Sequence, residues 1–101
     1  MNSSKLVRDK VPEKLQKENK VPVYHTASKE EYWTYLKEKL QEQIDEFFTT
    51  ESKNKIADIN EVIRAICNFN DWDMEELEKT RKQKAKTKGC FSKRIILDKV
   101  E

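Results

Sequence analysis

Two consecutive stretches of this chain carry apolar residues at helical spacing and line them with acids. Over residues 28–49, Trp33, Leu36, Leu40, Ile44 and Phe47 recur at intervals of three and four; over 53–70, Ile56, Ile59, Ile63, Ile66 and Phe69 do the same. That period gives each segment one buried helical face. Within KLQEQIDEFF, Glu42, Asp45 and Glu46 stand one helical turn apart, and within IADINEVIRAI, Asp58 and Glu61 repeat the arrangement. Like charges so placed cost a helix about 0.2–0.5 kcal/mol per pair, so the pattern predicts an offsetting partner outside each helix. Two such helices, once packed, bring at least four carboxylates together. The partner that suits such a cluster is a hard divalent cation such as Mg²⁺, which takes oxygen ligands and keeps several waters.

The 101 residues suffice for one domain, residues 1–101, and leave no room for two comfortable ones. Charged residues make up 40% and hydrophobic ones 36%, with one glycine and two prolines, a balance that favours long amphipathic helices over turn-rich sheets. The expected class is all-α. A formal net charge of +2 does not mark the whole molecule as a nucleic-acid binder. No apolar run approaches the length of a membrane span, and the start MNSSKLVRDK has no apolar core of the signal-peptide kind, so a cytoplasmic location is expected. Cys67 and Cys90 lack metal-ligand or redox spacing and read as free thiols.

Start and stop signals divide the chain into four helices, near residues 9–18, 28–49, 53–70 and 74–88. Asp9 is the expected cap of the first, with Pro12 tolerated in its opening turn. Ser28 with Glu31 forms a capping box for the second, Ser52 caps the third, and Asp73 with Glu76 opens the fourth, which stops at Gly89. VPVYHT over 21–26 and the β-branched RIILDKV over 94–100 are expected to pair as a small two-stranded β ribbon on a four-helix bundle. A bundle this small buries limited apolar surface per chain, which predicts a homodimer or larger assembly.

In order, KLVRDKVPE, KLQEQIDEFF, IADINEVI and MEELEKTRKQKAKTKGCFSKRIIL resemble the MazG-like branch of the all-α nucleoside triphosphate pyrophosphohydrolases, including the phosphoribosyl-ATP pyrophosphohydrolase-like proteins. The resemblance implies a helical bundle built as a dimer or tetramer. It also implies Mg²⁺-dependent cleavage of a nucleotide between its α and β phosphates. The family's acidic signature is E-E-x-x-E on one helix and E-x-x-D on the next. Glu42, Glu46 and Asp58 match it, and Glu61 resembles a further acid of this branch. These four are the implied metal ligands, with Glu42 and Glu46 also the implied catalytic carboxylates.

Two positions depart from the signature: Gln43 replaces its second Glu, and Lys55 replaces the Glu of E-x-x-D. Gln43 keeps an oxygen and loses a charge. Lys55 cannot bind a metal, and its ammonium either repels the ion or reaches Asp58 or Glu46 and neutralises the site from within. Changing both to Glu is expected to raise Mg²⁺ binding and hydrolysis if Lys55 points into the acids.

Lys5, Arg8, Lys39, Lys84 and Arg94 are candidates for holding triphosphate oxygens, because outer phosphates need cations during phosphoryl chemistry. Three functions compete: an active Mg²⁺-dependent pyrophosphohydrolase, a degenerate relative that binds a nucleotide or a protein with little or no turnover, and a nucleic-acid-binding module using the basic run from Lys79 to Arg94. The third leaves the central acids unexplained, and no aromatics interleave with that run. Without the resemblance, the acids read as an ordinary solvated helix face. His25 reads as a surface histidine, and Trp33, Phe47, Phe48 and Trp72 as core or subunit-contact residues.

Overall fold

A computed structural model describes residues 4–101. Its regular structure is entirely helical: α1 (Val11–Lys17), α2 (Lys29–Thr49), α3 (Lys53–Phe69) and α4 (Met74–Lys88). These bounds follow the stop and start signals closely. Ser28 accepts a hydrogen bond from the Glu31 amide at 3.2 Å, Ser52 from the Lys55 amide at 3.3 Å, and Asp73 from the Glu75 amide at 2.7 Å. Each satisfies a backbone donor that the first helical turn would otherwise leave unpaired. Gly89 ends α4 with φ at 88°, a region in which L side chains are strained.

Asp9 does not cap α1. The N-cap is Lys10, whose backbone is already helical and whose side chain makes no capping bond. The helix instead grows out of a turn in which the Val11 amide donates to the Arg8 carbonyl at 3.0 Å, which places Asp9 one residue too early for a cap. Pro12 falls in the opening turn, as its missing N–H requires.

Packing concentrates in α2 and α3, which run antiparallel across the short connection 50–52. At the far end of this hairpin the rings of Trp33 and Phe69 stack at 5.3 Å, and Tyr32 meets Phe69 edge-on at 5.6 Å. Leu36, Val62 and Cys67 are the buried apolar residues between the helices. The turn into α4 is closed by the Trp72 amide donating to the Cys67 carbonyl at 2.8 Å, with Asp71 at a φ of 55°. Beyond it α4 buries no residue. The molecule is accordingly long, 61 × 31 × 25 Å.

The expected β ribbon does not form: no strand occurs among the described residues, and 21–26 and 94–100 are both irregular. A lone two-stranded ribbon is marginal in water without a supporting layer. Here α4 carries the second segment away from the hairpin, leaving Val21, Val23, Ile95, Ile96 and Leu97 exposed.

Candidate functional site

The acids do not gather at one point. Helix α2 sends Glu42 and Glu46 into a shallow depression that also holds Glu38, Asp45 and Lys55. Asp58 and Glu61, on α3, line a separate cavity of about 830 Å³. Among the described residues no three Asp, Glu, His or Cys side chains lie close enough together to hold a metal ion. The four residues expected to share one ion therefore form two pairs in this chain. Rotation explains the split: the residues of α2 that line the hairpin's cavity are Tyr32, Leu36, Lys39 and Gln43, a row whose Lys39 and Gln43 lie one position past Glu38 and Glu42.

Three of the four acids already hold a cation. The Arg8 guanidinium donates to Asp58 at 2.9 Å, Lys39 to Glu42 at 3.1 Å, and the Lys55 ammonium stands 3.9 Å from Glu46. Of the two outcomes open to Lys55, reaching a carboxylate is the one adopted, and Glu46 is its partner. Gln43 gives no metal ligand either. Its side-chain oxygen is buried without a hydrogen-bond partner and is closed to solvent. As placed, this donor set does not fit one Mg²⁺ ion: its carboxylates are divided, three of the four are paired within the chain, and its neutral oxygen is buried.

The larger cavity lies between the segment 6–10, the facing sides of α2 and α3, and the turn before α4. Its size is that of a small-molecule site. Arg8 and Lys39, both singled out as phosphate-holding residues, line it together with Asp58 and Glu61. Lys39 is well suited to a buried anion, since its side chain is 16% exposed. Lys5, Lys84 and Arg94 line neither this cavity nor the depression and are exposed. Arg64 is a cation of this cavity that the sequence reading passed over, and it makes no ion pair among the described residues. The signal was its place one turn after Glu61 on the same helix, hidden in an otherwise apolar run.

Comparison with known proteins adds little to this picture. No protein-family description matches the chain, and no solved structure matches it. It is similar to an uncharacterized protein of Mycolicibacterium smegmatis (strain ATCC 700084 / mc(2)155), with 35% identity over 51 residues, 50% of this chain and 52% of that relative. The chain thus spans about half the length of the curated relative it matches.

Proposed function

We propose that this chain binds the phosphates of a nucleotide in the cavity between segment 6–10, α2 and α3, as a catalytically weak relative of the all-α nucleoside triphosphate pyrophosphohydrolases. The observation that carries the reading is the cavity itself, which joins Arg8, Lys39 and Arg64 in one space of ligand size. Arg8 is held on Asp58 through an exposed ion pair, and such pairs are worth no more than about 1 kcal/mol. A phosphate therefore competes for the guanidinium at low cost, and its paired oxygens match the planar fork. Arg64, which makes no ion pair among the described residues, adds a further charge from the wall, and Lys39, paired with Glu42 at 3.1 Å, borders the same space. Weak turnover follows from the acids, three of which are paired to cations within the chain.

The test is titration of the purified chain with a panel of nucleoside mono-, di- and triphosphates, alongside pyrophosphate release. Saturable binding that Arg8→Ala and Arg64→Ala each weaken about tenfold, the equivalent of losing about 1.4 kcal/mol, is the expected result. Absence of binding across the panel overturns the reading.

A second reading, a fully active Mg²⁺-dependent pyrophosphohydrolase, is favoured by the placement of Asp58 and Glu61 in the same cavity as Arg8 and Lys39. Mg²⁺ sites in phosphoryl-transfer enzymes use one or two carboxylates and complete the shell with substrate phosphates and water. Pyrophosphate release with Mg²⁺ that Lys55→Glu leaves unimproved decides for it.

Self-association belongs to the same proposal. Phe91, Ile95, Ile96, Leu97 and Val100 are exposed beyond α4, as are Val21 and Val23. A second copy of this chain is the proposed cover for them, in a homodimer or tetramer. No helix among the described residues is long and apolar enough to cross a membrane. A nucleic-acid role for α4 has no comparable support, because its first two turns carry Glu75, Glu76 and Glu78 among the bases.

A further inference from the structure

We infer that Lys55 is the resident counter-ion of the acidic stripe on α2 and that it keeps the depression there free of divalent metal. Glu38, Glu42, Asp45 and Glu46 stand at i, i+4, i+7 and i+8, so all four project along one side of the helix into that depression. Left alone, their mutual repulsion works against α2. Lys55 is the cation that lines the same space among the described residues, and it comes from the opening turn of α3 rather than from α2.

Its root is fixed, because the Lys55 amide donates to the Ser52 hydroxyl at 3.3 Å. Its stem is largely covered, the side chain being 28% exposed, and the ammonium ends 3.9 Å from Glu46. From the other flank Lys39 holds Glu42 at 3.1 Å. Two ammonium groups thus offset, from within the chain, two of the four carboxylate charges, and they do so without demanding a coordination geometry. A divalent ion entering the depression meets the Lys55 ammonium on its lining, 3.9 Å from Glu46, and lacks the close trio of acids needed to hold it. Mg²⁺ gives up its waters reluctantly and requires near-octahedral placement, so an unfocused set of acids beside a fixed ammonium does not retain it.

The consequence is that the α2–α3 hairpin is stable without divalent metal and does not respond to it. This holds whether or not the neighbouring cavity takes a nucleotide, and the test contains none, so its failure leaves the nucleotide reading standing. Mn²⁺ binding followed by water-proton relaxation, and thermal unfolding in MgCl₂ against NaCl of equal ionic strength, are measured on the wild-type chain, Lys55→Glu, Lys55→Met and Glu46→Gln. The wild type is expected to unfold at the same temperature in both salts and to show no Mn²⁺ binding that Glu46→Gln abolishes. Lys55→Glu is expected to gain saturable Mn²⁺ binding, at least about tenfold tighter than any the wild type shows, a change of about 1.4 kcal/mol or more. Its unfolding temperature should rise in Mg²⁺, and adding Glu46→Gln should cancel both effects. Lys55→Met removes the charge without adding another and keeps the packed stem, so it serves if Lys55→Glu does not fold, with a smaller gain of the same sign. Saturable Mn²⁺ binding by the wild type that Glu46→Gln removes overturns the inference, as does the absence of any gain in a folded Lys55 variant.

Discussion

Gln43 shows how one side chain can run against the fold that buries it. Its oxygen is buried and makes no hydrogen bond, although the residue borders the larger cavity, and an unsatisfied buried acceptor costs about 1–3 kcal/mol. Replacement by an apolar residue of similar volume removes that cost. Gln43→Leu is therefore expected to raise stability by about 1 kcal/mol, which in a domain of this size lifts the melting temperature by roughly 4–8 °C in a calorimetric scan. Gln43→Glu puts an ionised carboxylate in the same unpartnered place and should lower stability by on the order of 2 kcal/mol at neutral pH, recovering as the pH falls and the acid is neutralised. A melting temperature for Gln43→Glu equal to or above that of the wild type would show that the side chain turns outward. The Arg8–Asp58 pair belongs to the other extreme. It is exposed on both sides, and its loss in Arg8→Ala should leave the melting temperature nearly unchanged while weakening nucleotide binding.

The helices differ in what sustains them. Hairpin packing holds α2 and α3, and the Ser28 cap on α2 adds a local term, so Ser28→Ala is expected to cost about 1 kcal/mol in chemical denaturation. Helix α4 buries no residue, and only Met74 at its start borders the hairpin's cavity. Its support is local: Asp73 at the N-terminus, Lys86 and Lys88 at the C-terminus, and side-chain pairs such as Glu76–Lys79 and Glu78–Arg81. A hydrogen bond from Arg81 holds the Glu78 carboxyl below its ordinary value. A depressed carboxylate stabilises the helix above its ordinary pKa, and that support is lost as the pH falls through the lowered value. A 15-residue helix standing alone is marginal in water. In a monomer, hydrogen exchange should therefore be fast across 74–88 and slow across the facing sides of α2 and α3. Protection of α4 comparable to that of α3 would mean that another copy covers it.

At the scale of the whole molecule, the chain is too open for its length. Its radius of gyration is 18.1 Å, whereas a compact domain of about 100 residues has one near 13 Å. The difference lies in α4 and the residues after it, where exposed apolar side chains such as Phe91 and Leu97 accumulate. Patches of that kind mark association surfaces. Sedimentation equilibrium is expected to give a dimer or tetramer, and Ile95→Asp with Leu97→Asp should shift it toward monomer without changing the hairpin's helical signal. A compact monomer at high concentration would remove the case for self-association.

Sequence alone determined the elements of this protein. Helix type and bounds follow from an apolar period of three to four residues and from side chains such as Ser28, Ser52 and Asp73, which act on amides two or three residues away. Such local causes are written in the chain and need no partner. The pairing of α2 with α3 was legible for the same reason, since two apolar stripes joined by a short connection can meet only as a hairpin. What tertiary structure decided was rotation and company. A step of one residue, about 100° around the axis of α2, separates a shared acidic site from two separate ones, and spacing within a helix carries no record of how it is turned against its neighbour. The gathering of Arg64 with Arg8 and Lys39 around one cavity, the choice of Glu46 over Asp58 by Lys55, and the unpaired state of the 21–26 and 94–100 segments all depend on contacts between different elements of the chain. Their energies are small and their partners are fixed only when the helices have packed.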